Sequence, residues 1–428
     1  MYPHNVADFY RMLRNQWKSS SELEVIQNRK LRRLIEHVYN NVPYYRKLFD
    51  SMKLKPADIK TVHDLSKIPT ISSKIYRIIP LEEILSKKTE LNKCVSVSTN
   101  GTSGLPLKIF FTKNDYTQLN LNWVRPLLAN GVRPWHKRAV FARPHILSEK
   151  KKWYQYLGLW RNQGISSFEE PDVWVAKLRE YKPDVLFGYS TTLKLLAQFI
   201  KTKKITDIRP RIVFAVSELL DGECRELIND VFQAKIVDLY GAAETGCIAW
   251  ECLTCSKYHL NTDTLIVEFL RGDQKVLFGS EGKIVVTNLH SFAMPIIRYE
   301  LGDIGIASDK KALCGRGLPS MRIILGRSDD FIALPSGKLL SPRFFSAIIL
   351  QVVGIDQWKV IQDDSGCLNI LVVPSEDFLT KTVSQLKDRI VKNAGEEIQI
   401  HVRIVDEIPF EPSGKLRAVV SKVTNNVF

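Results

Sequence analysis

RIVFAVSE at residues 211–218 and AKIVDLYG at residues 234–241 are short β-rich runs, and each is followed by polar or glycine-containing residues. Several such runs lead into segments with helical spacing of apolar residues. This alternation predicts an α/β domain in which helices cover a mainly parallel sheet. In such sheets ligands bind beyond the carboxyl ends of the strands. The other runs of this kind are VSVST (95–99), LKIFFT (107–112), RAVFAR (138–143) and DVLFGYS (184–190).

The two ends of the chain have different patterns. Residues 25–49, VIQNRKLRRLIEHVYNNVPYYRKLF, predict an amphipathic helix that ends at Pro43 and has Val25 and Leu31 on its apolar side, with Leu34, Ile35 and Val38. Longer β runs between Glu268 and Ile306 predict a small barrel or sheet. Beyond residue 326 the order strand, turn, strand, helix, strand predicts a separate α+β unit. We therefore expect a large domain at 1–326 and a small one at 327–428.

Composition is that of a globular protein, with 45% hydrophobic and 25% charged residues over a length of 428. No apolar run is long enough for a membrane span, and the first residues do not resemble a secretory signal, so we expect a cytoplasmic protein. The net charge of +15 suits nucleic acid, an anionic membrane surface or small anionic substrates. The dense basic runs at 28–37 (NRKLRRLIEH) and 148–157 (SEKKKWYQYL) have helical spacing, and we interpret them as solvated helix faces.

Residues 98–106, STNGTSGLP, could hold an anion. Glycines let backbone amides converge, and hydroxyl groups add donors. The spacing matches neither the Walker pattern nor a dinucleotide fingerprint. Taken alone, the stretch also fits a surface turn. The residues concerned are Thr99, Gly101, Thr102, Ser103 and Gly104.

Two acidic motifs follow β runs. In DLYGAAETG (238–246), Glu244 could bind Mg²⁺ and Tyr240 could stack on a base, although a strand-to-helix turn explains the pattern as well. In RYELGDIG (298–305), Asp303 could accept the hydroxyls of a ribose or could occupy an ordinary turn.

Two further motifs lie at the expected domain boundary and near the end of the chain. In LGRSDDF (325–331), Arg327 could pair with a phosphate or a ribose oxygen, and Asp329 could be a hinge; a surface ion pair is the alternative. In PFEPSGKLR (409–417), an ordered turn presents Lys415, which could enter and leave a site with a mobile domain or could be simply solvated.

The chain has seven cysteines, an odd number that disfavours a disulfide framework. CIAWECLTCSKYH (247–259) contains Cys252, Cys255 and His259, which are ligands of the types that zinc prefers. Cys314 is the best candidate for a fourth ligand and Cys247 is its rival. Four protein ligands leave no open position, so we expect a structural rather than a catalytic zinc. The single cluster, with no finger helix after it, argues against a nucleic-acid module.

Taken in order, the Gly/Ser/Thr loop, Tyr-Gly-x-x-Glu, Gly-Asp, Gly-Arg-x-Asp and Pro-x-x-x-x-Gly-Lys resemble the adenylate-forming superfamily. Within it, the chain resembles the phenylacetate–CoA ligase branch and its CapK-like members, which are associated with capsular polysaccharide clusters. LRRLIEHVYNNVPYYRKLF (31–49) and SKIPTISSKIYRI (66–78) also look like that branch. The resemblance implies a large multi-layer adenylate-forming domain with a small α+β lid domain.

The resemblance also implies ligands and roles. ATP with Mg²⁺ would convert a carboxylic acid to an acyl-adenylate, and coenzyme A would then displace AMP. The 99–104 loop would hold the pyrophosphate end of ATP, and Lys415 would bridge carboxylate and phosphate oxygens while Asp329 acts as the pivot. The nucleotide site would further contain Tyr240 on adenine with Gly241 beside it, Glu244 on Mg²⁺, Asp303 on the ribose and Arg327 nearby. The acid pocket would include Phe187, Tyr189, Ser217 and Glu218, for which core packing is the alternative.

Two positions depart from the family pattern. Leu105 stands where many family loops have Lys, and Ala312 stands where a Cys-x-Cys-Gly would begin. An acyl-CoA ligase is the function we expect, as a monomer or homodimer that binds no nucleic acid. Transfer of the acyl group to an amine, a hydroxyl or a carrier-protein thiol is one alternative. A non-catalytic nucleotide-binding homologue, motivated by Leu105, is the other.

Overall fold

A computed structural model of the chain describes residues 3–98, 107–144, 147, 152–308, 312–327, 331–336, 338–340, 342–349, 351–364, 366–409 and 418–423. Short 3₁₀ helices lie at Pro56–Asp58, Val62–Lys67 and Leu91–Lys93. The α-helices of the described residues are α1 (Pro3–Asn15), α2 (Ser20–Asn41), α3 (Pro43–Ser51), α4 (Ser73–Ile78), α5 (Leu81–Ile84), α6 (Lys113–Ala129), α7 (Trp153–Tyr156), α8 (Pro171–Tyr181), α9 (Ser190–Thr202), α10 (Gly222–Phe232), α11 (Pro342–Ile349) and α12 (Thr380–Ala394).

The strands of the same residues are β1 (Ile71–Ser72), β2 (Val95–Ser98), β3 (Lys108–Phe111), β4 (Arg138–Ala142), β5 (Asn162–Ser166), β6 (Val185–Tyr189), β7 (Ile212–Val216), β8 (Lys235–Ala242), β9 (Gly246–Glu251), β10 (Tyr258–Leu260), β11 (Leu265–Arg271), β12 (Gln274–Lys275), β13 (Glu281–Asn288), β14 (Tyr299–Ser308), β15 (Ser320–Arg327), β16 (Ile332–Ala333), β17 (Leu339–Leu340), β18 (Ile355–Asp364), β19 (Cys367–Pro374), β20 (Gln399–Ile404) and β21 (Val419–Ser421).

One sheet of 13 strands combines a parallel half and an antiparallel half. Strands β5, β4, β6, β7 and β8 lie side by side and are parallel. From β8 the order continues through β9, β10, β15, β14, β13, β11 and β12, and these neighbours are antiparallel. Strand β1 pairs with β14 in parallel. The two halves therefore meet where β8 turns back into β9.

The predicted α/β class is confirmed, and the runs at β4, β6, β7 and β8 form the parallel half. The expectation that β2 and β3 take part in this alternation is wrong, because they pair with each other antiparallel in a sheet of their own. They are consecutive along the chain, and consecutive strands pair without a crossover helix. The longer β runs between Glu268 and Ile306 also do not form a separate barrel, because β13 and β14 belong to the large sheet.

Both faces of the parallel half are covered, one by α8, α9 and α10 and the other by residues that include Leu23 of α2 and Leu127 of α6. Helices α8, α9 and α10 place apolar side chains such as Trp174, Leu193 and Ile228 against Leu186 and Val213 of the sheet. Strand β7 is buried along its whole length, as expected for a parallel strand between two layers. Helix α10 starts where the sequence provides an N-cap, because the side chain of Asp221 accepts a hydrogen bond of 2.8 Å from the backbone N–H of Cys224. This cap sets the position of the loop after β7.

The amphipathic N-terminal helix is confirmed as α2, with one correction to its apolar side. Leu31, Leu34, Ile35 and Val38 are buried, but Val25 is 67% exposed and Leu23 faces the core instead. The helix ends at Asn41 because the residue before a proline disfavours helical backbone angles. Pro43 then starts α3.

The C-terminal residues have their own core. Its buried members lie between Ile332 and Val419 and pack around a four-stranded sheet in the order β20, β19, β18, β21. The predicted strand, strand, helix, strand order corresponds to β18, β19, α12 and β20. The small α+β unit is thus confirmed as a fold, whereas the domain boundary at residue 327 stays a prediction.

A buried ionic network fixes α1 and α6 to the connection between β10 and β11. Arg125 and Asp263 are 0% and 1% exposed, and Arg125 Nη2 lies 2.7 Å from Asp263 Oδ2. Asn15 Nδ2 donates to the same carboxylate at 3.0 Å, and Lys30 Nζ donates to the Asp263 carbonyl at 2.6 Å. A buried pair of charges persists only with such extra hydrogen bonds.

Among the residues described, no helix has the length and apolar character needed to cross a bilayer.

Candidate functional site

Of the predicted site residues that the structure describes, Tyr189, Ser217, Glu218 and Tyr240 lie at or just beyond the carboxyl ends of the parallel pairing. In the ladder, Tyr189 at the end of β6 pairs with Val216 at the end of β7, and Val216 pairs with Leu239 of β8. The residues that follow these positions therefore leave the sheet at one level. This edge is where parallel sheets place their ligands.

Tyr240 and Asp303 lie on opposite halves of the sheet and contact each other directly. The Tyr240 hydroxyl donates a hydrogen bond of 2.7 Å to Asp303 Oδ2, and both residues are half-buried. Asp303 belongs to β14, where its backbone pairs with that of Arg327 on β15. The structure thus brings together the residues predicted to contact adenine and ribose.

Glu244 lies in the turn between β8 and β9 and is only 7% exposed. The hydroxyl of Tyr299 donates to Glu244 Oε1 at 3.1 Å, and Asn288 Nδ2 donates to the Glu244 carbonyl at 3.1 Å. The ring of Tyr299 meets the ring of Tyr76 edge-on, with 5.4 Å between centroids. A held, largely buried carboxylate of this kind suits the binding of a hard cation.

The backbone around Gly241 leaves no room for a side chain. A Cβ atom at this position would lie 2.5 Å from the carbonyl oxygen of Gly246 and 2.6 Å from the ring of Trp123. Gly246 has a φ of +73°, which favours glycine. The tight turn therefore depends on both glycines, and it sets the positions of Tyr240 and Glu244.

The four residues assigned to the acid pocket have different surroundings. Phe187 is half-buried and its ring stacks near that of Phe214, with 6.4 Å between centroids. Tyr189 is 7% exposed. Both side chains belong to one face of β6, because residues two apart point the same way.

The loop after β7 contributes Ser217 and Glu218. Ser217 is exposed and has a φ of +69°, an uncommon angle for serine. Glu218 Oε2 accepts hydrogen bonds from the backbone N–H and the hydroxyl of Thr191, at 2.8 and 2.7 Å. Its carboxylate therefore sits at the amino end of α9, where the helix dipole favours negative charge.

Several predicted residues lie outside the described residues. They are Thr99, Gly101, Thr102, Ser103, Gly104, Asp329 and Lys415. Arg327 is described through its backbone in β15.

The predicted zinc ligands come together. Cys252, Cys255, His259 and Cys314 have their ligand atoms within 4.8 Å of one another. His259 Nε2 lies 3.6 Å from the Cys255 sulfur and 3.2 Å from the Cys314 sulfur. Zinc bonds of about 2.3 Å to sulfur and about 2.0 Å to nitrogen, in tetrahedral geometry, give nitrogen–sulfur separations of about 3.5 Å. The four side chains therefore fit a structural zinc.

The tautomer of His259 is also suited to a metal. Its Nδ1 lies 3.4 Å from the carbonyl oxygen of Leu318, so that Nδ1 carries the proton and Nε2 faces the cysteines. Burial lowers the pKa of His259 to about 4, which keeps the ring in the neutral form that binds metals. Burial raises the pKa of the Cys255 thiol to about 12 in the metal-free arrangement. A bound cation would reverse that effect.

Cys247 lies apart from this group. It is fully buried, and its thiol is 3.4 Å from the carbonyl oxygen of Ala249. Burial raises the pKa of this thiol well above the ordinary range. Among the described residues, the cluster of possible metal ligands consists of the four predicted side chains, and Cys314 rather than Cys247 takes the fourth place.

Arg316 ties the cluster to the N-terminal segment. Its Nη1 donates to the Cys252 sulfur at 3.4 Å, and its Nε donates to Gln16 Oε1 at 3.0 Å. The guanidinium also lies over the Trp17 ring, 4.8 Å from the centroid. A Cβ atom on Gly317 would lie 1.8 Å from the carbonyl oxygen of Lys18, so the loop packs directly on the chain between α1 and α2.

Three of these contacts were missed from sequence. Tyr299 lies inside the quoted motif RYELGDIG, but nothing in the motif indicates that its hydroxyl reaches Glu244. Arg316 stands between two glycines beside Cys314, and this spacing indicates a close-packed loop. Thr191 gave no signal, because its contact with Glu218 depends on the register of β6 and β7.

Comparison with known proteins gives matches over nearly the whole chain. The family model for the CapK C-terminal domain matches residues 332–422. The chain is 23% identical to a phenylacetate-coenzyme A ligase of Thermus thermophilus, over 93% of this chain and 96% of that protein. It is 21% identical to protein CapK of Staphylococcus aureus, over 95% of this chain and 91% of that protein.

The fold is similar to that of a solved ligase. A crystal structure of 2-hydroxyisobutyryl-CoA ligase, in the postadenylation state with R3-HIB-AMP, superposes with a TM-score of 0.81 at 18% identity. The match covers 96% of this chain and 91% of that one.

Proposed function

Because the chain belongs to the adenylate-forming superfamily, in the branch of the phenylacetate–CoA ligases and CapK proteins, we propose that it is an ATP-dependent acid ligase. It would activate a carboxylic acid as an acyl-adenylate and then transfer the acyl group to the thiol of coenzyme A. A cytoplasmic location is part of this proposal, and so is a monomer or homodimer.

The reaction has two displacements. An oxygen of the acid attacks the α-phosphorus of ATP, the bond to the β-phosphate oxygen breaks, and pyrophosphate leaves. The thiolate of coenzyme A then attacks the acyl carbon, the carbon–oxygen bond to the phosphate breaks, and AMP leaves with that oxygen. Both steps need alignment and charge stabilisation more than a protein nucleophile.

The contact between Tyr240 and Asp303 carries the proposal. It joins a ring able to stack on a base to a carboxylate able to accept ribose hydroxyls, at the edge of the sheet where ligands bind. The next turn adds Glu244, held by Tyr299, as the residue that would bind Mg²⁺. The loop at 98–106 contains no lysine or arginine that could neutralise the phosphate charge. Bound Mg²⁺ would neutralise that charge instead.

Two residues outside the described part complete the proposed machinery. Lys415 would contact the carboxylate and the phosphate during adenylation, and Asp329 would be the pivot on which the small domain turns. Withdrawal of Lys415 would then open the acyl-adenylate to the thiol. Arg327 would support the ribose from β15, next to Asp303 in the ladder.

We further propose that Cys252, Cys255, His259 and Cys314 hold one structural zinc ion. The ion would close the loop before β15 onto β9 and β10. It would have no catalytic role, because four protein ligands leave no position for water or substrate.

The decisive experiment is pyrophosphate exchange into ATP across a panel of aliphatic, hydroxylated and aromatic acids. Phe187 and Tyr189 favour a flat acid, so aromatic acids are expected to support the fastest exchange. Addition of coenzyme A should then yield a thioester and AMP. ATP binding without exchange for any acid would instead support the non-catalytic alternative.

A second candidate is favoured by the CapK match at residues 332–422 and by the similarity to protein CapK over 95% of the chain. In this case the acyl-adenylate would pass to an amine, a hydroxyl or a carrier-protein thiol. Exchange that depends on an acid, without formation of a coenzyme A thioester, would select this candidate.

A further inference from the structure

Five large apolar side chains are exposed near the open edge of the parallel half, at the edge strand β5. They are Trp135 (59% exposed), Trp153 (71%), Tyr156 (75%), Leu157 (68%) and Leu159 (38%), and we call them the aromatic surface. Single exposed apolar residues are ordinary, but a group of this size marks an interaction site. The proposed ligase activity leaves this surface without a role.

The aromatic surface is formed by two segments that hydrogen bonds hold next to each other. The loop before β4 contains Trp135, and the segment before β5 contains α7 and the residues up to Arg161. Arg161 Nη2 donates to the Trp135 carbonyl at 2.9 Å, and the Trp160 N–H donates to the carbonyl of Pro134. In α7 and the residue after it, the spacing of Trp153, Tyr156 and Leu157 places the three on one helix face.

The surroundings are strongly basic. The residues described between 133 and 161 include six Lys or Arg and no Asp or Glu, a net charge of +6. Lys152 and Arg133 are exposed beside the apolar side chains, and Arg161 is half-exposed. The guanidinium of Arg138 lies over the Trp160 ring, 5.1 Å from its centroid. This positive charge lies beneath the exposed side chains of the aromatic surface.

We propose that the aromatic surface binds the headgroup region of an anionic lipid bilayer. Tryptophan and tyrosine with leucine on one face, surrounded by basic residues, is the composition of segments that lie in the membrane interface. Nucleic acid would match the charge and the rings, but it offers no hydrocarbon for Leu157 and Leu159. A second copy of the chain would bring its own positive charge to the same place and be repelled.

The orientation is compatible with activity. The aromatic surface adjoins the amino ends of β4 and β5, whereas the nucleotide residues lie at the carboxyl edge of the same sheet. A chain bound to a bilayer in this way keeps the nucleotide site away from the lipid. The proposal therefore does not depend on the proposed ligase function, and it can be tested without any substrate.

The test is co-sedimentation of the full chain with vesicles of phosphatidylcholine, with and without phosphatidylglycerol. We expect binding to the anionic vesicles that weakens as salt is raised, and little binding to the neutral ones. The variant Trp153→Ser/Tyr156→Ser/Leu157→Ser should lower the partition coefficient by about tenfold or more. These side chains are exposed, so the variant should unfold at nearly the same temperature as the parent.

The matched control is Leu277→Ser/Phe278→Ser, which removes two apolar side chains that are 81% and 68% exposed elsewhere on the molecule. It should bind vesicles like the parent. Equal loss in both variants, equal binding to neutral vesicles, or no binding to anionic vesicles would each overturn the proposal. So would tight binding to single-stranded oligonucleotides at the salt concentration where vesicles are not bound, or a concentration-dependent dimer that the triple variant abolishes.

Discussion

Tyr240 and Asp303, 63 residues apart in the chain, are joined by a 2.7 Å hydrogen bond from the tyrosine hydroxyl to the carboxylate. The bond spans the junction between the parallel and antiparallel halves of the sheet. Tyr240 belongs to β8 and directly follows the part of that strand that pairs in parallel with β7, whereas Asp303 belongs to β14. A nucleotide that contacts both residues would therefore be sensitive to the alignment of the two halves.

The first prediction concerns this bond. Tyr240→Phe keeps the ring for stacking but removes the donor that orients the Asp303 carboxylate. We expect the KM for ATP to rise roughly fivefold, which corresponds to about 1 kcal/mol, with a smaller change in kcat. Steady-state pyrophosphate exchange at varied ATP gives both constants.

The control for the first prediction is a double-mutant cycle with Asp303→Asn. If the hydroxyl acts through the carboxylate, Tyr240→Phe should have a clearly smaller effect in the Asp303→Asn background. Additive effects would show that the two residues act on the nucleotide independently.

The second prediction concerns Glu244 and Tyr299. Tyr299→Phe should raise the Mg²⁺ concentration needed for half-maximal activity several-fold, because the carboxylate loses the donor at 3.1 Å that holds it. Glu244→Gln should be more severe and lower kcat by about a hundredfold, since it removes the charge that is proposed to bind the cation.

Tyr76→Phe is the matched control for Tyr299→Phe. Tyr76 packs edge-on against Tyr299, and its hydroxyl donates to the carbonyl of Pro295. The substitution removes a buried hydroxyl of the same kind, so it can lower stability while the Mg²⁺ dependence stays that of the parent. A similar shift in both variants would contradict the specific role of Tyr299.

The grouping of four Cys and His side chains was predicted correctly because most of its chemistry is local. Cys252, Cys255 and His259 are close in the chain, and the preference of zinc for four ligands called for one more cysteine. Cys314 was preferred over its rival Cys247 from the sequence, but the proximity of Cys314 to the other three side chains depends on β10 pairing with β15, which only the structure shows. The Arg316 contacts with Gln16 depend on packing between distant segments, which periodicity does not encode.

Strand order shows the same limit. The runs that became β6, β7 and β8 were predicted from their apolar residues, but β5, with the sequence NQGIS, was not. It has few apolar residues because it lies at the open edge of the sheet. The pairing of β21 with β18 depends on a contact between Val419 and Val360, far apart in the chain, and no local pattern in the sequence indicates it.

The third prediction concerns the metal. Purified protein should contain about one zinc per chain, and Cys252→Ser should lose it. The variant should also unfold at a temperature several degrees lower, because binding energy for a structural metal is folding energy. Elemental analysis and thermal unfolding measure the two effects.

Cys94→Ser and Cys367→Ser are the controls for the metal prediction. Both cysteines are half-exposed and lie outside the four-residue cluster. These variants should keep the metal and the unfolding temperature. A metal-free parent protein of normal stability would remove the zinc site from consideration.

The fourth prediction concerns Lys415. Lys415→Ala should reduce adenylation by several orders of magnitude while ATP binding changes little, because the proposed contact forms mainly in the transition state. Lys422→Ala is the control from the same unit, since Lys422 is exposed and pairs with Asp363 at 2.7 Å. Unchanged adenylation in Lys415→Ala would refute the assignment.

The fifth prediction concerns acid stability. His290 accepts a hydrogen bond from Lys30 Nζ at 2.8 Å, and burial, with the nearby positive charge, lowers the pKa of His290 to about 3. In the unfolded chain this histidine takes up its proton near pH 6.5, so the unfolded state binds more protons between these two values. The free energy of unfolding should therefore fall as pH decreases through this window, by up to about 1.4 kcal/mol per pH unit from this group.

His290→Gln removes the titrating group, so its stability should depend less steeply on pH over the same range. The comparison is made by denaturant unfolding at several pH values between about 6.5 and 4. His401→Gln, at an exposed position on β20, should keep the slope of the parent. An equal slope in the parent and in His290→Gln would mean that His290 is not held neutral by its surroundings, and the acid sensitivity would then have to come from other groups.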